Sequence, residues 1–177
     1  MDTDVPAMSV GSTGEPMAHE AGKHAFEEEN AMDNAVIERL EASFNLLAPR
    51  AEELVDRFYA NLFAKHPQVR SLFPDDMAEQ KKKLLASLVL VVQNLRTTEK
   101  LADPLKKLGA KHVGFKTQPE HYPIVRDTLV GVMADMAGSQ WNDQLTSDWS
   151  GALDFVSSVM LEGHHAEVAK AGRQAAA

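Results

Sequence analysis

Apolar residues along this chain recur at steps of three and four, in separate blocks. Val36, Ile37, Leu40, Phe44 and Leu47 form the first block, and Leu54, Val55, Phe58, Tyr59, Leu62 and Phe63 the second. Each set falls on one stripe of a helix with 3.6 residues per turn, so each predicts a helix with one buried face. Leu84, Leu85, Leu88, Val89, Val92 and Leu95 repeat the pattern, followed by Ile124, Val125, Leu129, Val132, Met133 and Met136. Trp149, Ala152, Leu153, Val156, Val159 and Met160 define the last helix. Strict alternation bounded by hairpin turns is absent from the sequence, as is any internal repeat, so the prediction is an all-α domain of roughly seven or eight helices. The short block 67–73 suits orthogonal helix packing better than a four-helix bundle.

Proline punctuates these blocks. Pro49, Pro67, Pro104 and Pro119 each precede a periodic stretch, where a missing N–H costs little and the fixed φ favours the first turn. Asp103 is placed to cap a helix that would open at Pro104 and end at His112. Residues 1–32 are small, polar and acidic, with too few large apolar groups to offset the entropy of ordering, so they are expected to be a disordered N-terminal extension. His19 and His24 could turn that arm into a lid, but its composition gives no support for one. The domain is expected to span 33–170, with 171–177 a flexible C-terminal tail.

Charge and composition narrow the partners. A formal net charge of -8 disfavours nucleic acid, because phosphate neutralisation needs clustered Lys and Arg. With no cysteine, a protein-bound metal would have to use His or carboxylates. The opening residues lack a basic, apolar signal core, and the run 84–92 is far short of the ~20 residues a membrane span needs. The expectation is a soluble cytoplasmic protein without a membrane span; the oligomeric state is left open.

The candidate chemistry lies on one polar or aromatic residue per segment. Tyr59 sits in the motif Phe58-Tyr59-x-x-Leu62-Phe63, and Phe73 closes Val69-x-x-Leu72-Phe73. Gln80 and Leu84 lie one turn apart, Leu108 stands four residues before the pair Lys111-His112, and His121-Tyr122-Pro123 follows. This ordered set resembles the globin family, and more narrowly the bacterial single-domain globins and the globin half of flavohaemoglobins. The likeness covers roughly residues 34–168.

That resemblance implies a fold of orthogonal helices around haem b, and a role for each residue. His112 would be the fifth ligand to iron, with its other ring nitrogen bonded to the Leu108 carbonyl one turn back. Tyr59 and Gln80 would take the distal side, where a phenol O–H and an amide N–H stabilise the negative charge that a bound gas acquires. Leu84 would limit the distal cavity, and Phe73 would wedge against the porphyrin face. Lys83 could reach a haem propionate or turn inward as a sixth ligand, against the ordinary reading of a solvated lysine in a basic run. Tyr122 would hydrogen-bond on the proximal side and, with a glutamate of the last helix, raise the electron-donating character of His112. Counting from Trp149 places Ala166 where that glutamate is expected, with Glu162 and Glu167 as neighbouring substitutes. Without the carboxylate, peroxidase-like O–O cleavage would be weak. His66, His121, His164 and His165 read as surface or capping residues.

Three functions remain open on the sequence. One is a haem protein that binds O2, NO and CO and, with electrons from a separate reductase, converts nitric oxide to nitrate. No glycine-rich dinucleotide fingerprint follows the helical region, which is why the reductase is expected to be another protein. Another is an oxygen carrier or a gas sensor that uses the N-terminal arm. The last is a globin-shaped scaffold without haem.

Overall fold

The computed structural model describes residues 33–175, so the expectations for 1–32, with His19 and His24, lie outside the described residues. Six α-helices carry the chain: α1 (Asn34–Leu47), α2 (Ala51–Lys65), α3 (Ala78–Gln93), α4 (Glu99–Gly114), α5 (His121–Ala137) and α6 (Asp143–Ala175). Short 3-10 helices at Ala48–Arg50, Pro67–Leu72 and Gly138–Gln140 join them, and no strand occurs among the described residues.

Local chemistry sets the boundaries. The Asp33 carboxylate accepts from the Ala35 N–H at 2.9 Å to start α1, and the Asn142 side chain accepts from the Leu145 N–H at 2.9 Å to start α6. Gly138, at φ 56°, stops α5 in a conformation that a Cβ disfavours. Pro49 and Pro67 fall in 3-10 turns at helix junctions, as their fixed φ predicts.

Pro104 departs from that rule. It lies inside α4, which begins at Glu99, so Asp103 is a helical residue and caps nothing. Leu101 and Leu105 explain the earlier start: one turn apart, both are buried against Val159 and Met160 of α6. Burying both leucines is worth roughly 3 kcal/mol or more, enough to offset the backbone bond lost at proline. The helix also outlasts His112 and closes at Gly114.

Two apolar clusters form the interior. The larger draws Leu40, Phe44, Leu54, Phe58, Tyr59, Leu62, Leu88, Leu129, Met133 and Trp149 from α1, α2, α3, α5 and α6. The smaller joins Leu101 and Leu105 of α4, Tyr122 of α5, and Val159 and Met160 of α6; Val156 packs against both clusters. Helix α6, 33 residues and about 50 Å long, is the spine on which α1, α4 and α5 rest. Its last turns, including 171–175, are helical and exposed.

Polar groups fix where α1 crosses α6. The buried Trp149 indole N–H donates to the Ser43 hydroxyl at 2.9 Å. Arg39 forks onto Asp148 at 2.5 and 3.2 Å, and Gln144 adds a third donor at 2.8 Å. These bonds, the one from Arg39 foremost, hold the Asp148 carboxyl below its usual range, with burial opposing. A depressed folded-state value means that the stabilisation is complete above about pH 4 and is lost as pH falls through the folded value. Asp148→Asn should therefore lower the melting temperature by several degrees at pH 7 and flatten the acid limb of the stability curve. Equal acid limbs in the two proteins would show that Asp148 contributes nothing through its charge.

Candidate functional site

Helices α2 and α3, with the corner between them, assemble one group of the candidate residues. Tyr59 is 4% exposed and sits among aromatic rings, 5.7 Å from Phe73 and 5.8 Å from Phe63 by centroid. Phe63 and Phe73 meet edge to face at 5.3 Å, so the three rings form a continuous apolar wall. The Gln80 amide N–H donates to the Tyr59 hydroxyl at 3.3 Å, across 21 residues of sequence. Burial raises the Tyr59 phenol above its usual range, against the pull of that bond, so the hydroxyl keeps its proton. Because Gln80 donates into the phenol oxygen, the Tyr59 O–H is left to donate to something else.

Arg70 contributes where sequence reasoning gave it no part. Its guanidinium lies 5.1 Å over the Phe63 ring and donates to the Phe73 and Pro74 carbonyls, both at 3.1 Å. The corner that presents Phe73 is thus tied back on the 3-10 turn, at Pro67–Leu72, that precedes it. Leu84, one turn beyond Gln80, is half-buried against the larger cluster. Lys83 is exposed, whereas Lys81 pairs with Asp56 at 2.6 Å and Lys82 with Glu79 at 2.9 Å.

A second group is built on α4, α5 and α6. His112 Nδ1 is 2.8 Å from the Leu108 carbonyl, which as an acceptor places the ring proton on Nδ1 and leaves Nε2 unprotonated. Burial pushes the imidazole below its usual range; the Leu108 carbonyl opposes this and His164 adds to it. The ring is accordingly neutral at pH 7, the state that ligates a metal.

The backbone around His112 is equally fixed. Its carbonyl accepts from the N–H of Thr117 at 3.1 Å, while Val113 accepts from Lys116 at 3.0 Å. With Lys116 at φ 59°, this is a Schellman closure that uses lysine where glycine is usual, and His112 is its anchoring carbonyl.

Tyr122 lies with its ring tilted 34° and 6.3 Å from His112. Among the described residues, two buried side-chain atoms lack a hydrogen-bond partner: the Tyr122 hydroxyl and Nδ1 of His164. An unsatisfied buried polar group costs on the order of 1–3 kcal/mol, so each of the two atoms calls for a partner.

His164 is the main correction to the sequence reading, which left it on the surface. It is 6% exposed, because the apolar stripe of α6 continues past Met160 at steps of three and four onto Gly163 and His164. That period was the signal available in the sequence. His121, by contrast, accepts from the Gln118 N–H at 3.1 Å and closes the turn before α5, and His165 is exposed. Ala166 is exposed as well, and Glu162 is exposed and paired with Lys106 at 2.8 Å. Glu167 is half-buried and without an ion pair among the described residues, and the polar side chain that α6 buries beyond Met160 is the His164 imidazole.

Two glycines bring α4 and α6 together. A Cβ on Gly109 would lie 1.8 Å from the Met160 carbonyl oxygen, and one on Gly163 would lie 1.9 Å from that of Lys106. Only hydrogen fits at either position, so His112 and His164 are each held one turn or less from a backbone-to-backbone contact.

Comparison with known proteins gives these groups a context. The globin family model matches residues 56–160. A flavohaemoprotein of Deinococcus radiodurans is 28% identical over 76% of this chain, which spans 32% of that protein's length. A globin-like protein of Aquifex aeolicus is 25% identical over 73% of this chain and 92% of its own. Among solved structures, a bacterial globin from Campylobacter jejuni superposes with a TM-score of 0.67 at 20% identity, covering 75% of this chain and 96% of that one.

Proposed function

The chain belongs to the globin family, and from that premise we propose that it holds haem b through His112 and takes a diatomic gas, dioxygen foremost, beside Tyr59 and Gln80. Haem supplies an iron centre that binds O2, NO or CO and changes oxidation state. The residues suit that group. His112 offers one unprotonated ring nitrogen, with the other fixed by Leu108, and Tyr122 and His164 keep polar atoms behind it without a protein partner. Phe63 and Phe73 offer flat apolar faces, with Leu84 beside them as a further apolar wall.

The observation that carries the gas-binding reading is the bond from Gln80 to the Tyr59 oxygen. It orients the phenol so that its own proton is free for an acceptor entering the pocket, and the surrounding rings keep water from competing. A ligand that acquires negative charge is held by that O–H; a neutral one gains less.

Electrons for nitric oxide dioxygenation would come from a reductase. The flavohaemoprotein relatives carry length beyond the third of them that this chain spans. No helix among the described residues is long and apolar enough to cross a membrane.

Replacing Tyr59 by phenylalanine should raise the dioxygen dissociation rate severalfold or more, while carbon monoxide dissociation changes little. Stopped-flow displacement of both gases measures this. Equal changes for the two ligands would mean that Tyr59 acts by shape and would remove the hydrogen-bonding argument.

A further inference from the structure

The smaller apolar cluster takes in Tyr122 from α5, and α6 carries its buried face one turn past that cluster, to His164. Tyr122 packs with Val159 and Met160, and His164 lies one turn beyond Met160 on the same stripe of α6. His112 stands 6.3 Å from the Tyr122 ring, and its imidazole is depressed in part by His164, so the three rings share one neighbourhood. Of the carboxylates on the elements around, Glu167 lies one turn beyond His164, half-buried and without an ion pair among the described residues, and the others are engaged. Glu162 is held by Lys106 at the surface, and Asp127 and Asp154 are held by Arg126 at 2.7 Å each.

We propose that the Tyr122 hydroxyl donates to Nδ1 of His164, and that this uncharged pair, made by α5 and α6, is the positioning element behind the His112 imidazole. Neither atom has a partner in the structure, and because the terminal torsion of a histidine is broad, one bond between them would satisfy both orphaned groups. A neutral pair draws no proton density from His112, so the ligand keeps the character of imidazole and not of imidazolate. That favours reversible gas binding over O–O cleavage. The role assigned to the pair rests on the haem-globin reading; the pair itself does not.

Two measurements separate these. In the haem-free protein, nitrogen NMR of the histidine rings in the parent and in Tyr122→Phe reports the pair directly. The Nδ1 resonance of His164 should move while those of His66, His121 and His165 stay. An unmoved His164 resonance overturns the pair whether or not the protein takes up haem. In the ferrous haem-loaded protein, resonance Raman spectroscopy reads the iron–histidine stretch. Tyr122→Phe and His164→Gln should shift it by similar amounts and their double variant by no more than either, because one bond cannot be lost twice. His164→Glu, which brings a charge, should raise the stretch and favour ferric over ferrous iron about tenfold, about 59 mV for one electron. Additive shifts in the double variant, or a His164→Glu protein with the parent's stretch and potential, would overturn the positioning role. A protein that takes up no haem would instead sink the haem reading.

Discussion

His112→Ala should strip the haem-loaded protein of most of its Soret absorption at haem concentrations that saturate the parent. Iron bound by a single protein nitrogen loses its only strong protein bond when that nitrogen is removed, and aromatic stacking by Phe63 and Phe73 remains as the main hold. The fold should survive, because His112 is half-buried and the Schellman closure around it uses its backbone and not its ring. Free imidazole added to the variant should enter the space left by the side chain and restore much of the spectrum. A variant that keeps the parent's spectrum without imidazole would show that iron is held elsewhere, and Lys83 on the α3 side would become the first residue to replace.

The helices were legible in the sequence because burial has a period. The blocks starting at Val36, Leu54, Leu84, Ile124 and Trp149 each became one helix of the structure. Likewise Tyr59 and Gln80, paired on the resemblance, are bonded across α2 and α3, and Leu108 accepts from His112 as the one-turn spacing suggests. What failed was punctuation and the far end of a stripe. Pro104 misled because proline is tolerated inside a helix when neighbours such as Leu101 and Leu105 have somewhere to bury. His164 was missed because histidine is read by its polarity, whereas its burial is decided by the face on which it falls. Gly109 and Gly163 could not be found by pattern at all. A glycine in a helix looks like a weak position until the partner backbone is known to lie against it.

Those glycines give the prediction with the largest effect on stability. Gly163→Ala should destabilise the domain by roughly 3 kcal/mol or more, lowering its melting temperature by ten degrees or so, and Gly109→Ala should do the same. Alanine is ordinarily the better helix former by about 1 kcal/mol, so propensity alone predicts the opposite sign. Sterics win because the new methyl would sit under 2 Å from a carbonyl oxygen of the other helix, and backbone cannot swing aside as a side chain can. The helices must separate along the largest seam in the molecule, moving α4 and its His112 away from α6 and its His164. Haem affinity should therefore fall along with stability, and to a similar degree in both variants, since each pushes on the same contact from one side. Gly151 is the control: it lies on the exposed face of α6, where an added Cβ would meet nothing within 4 Å, and Gly151→Ala should stabilise the protein slightly. Thermal unfolding of the three variants checks this. If Gly163→Ala melts at or above the parent, the close crossing of α4 and α6 is not a feature of the folded chain, and the placement of His164 behind His112 goes with it.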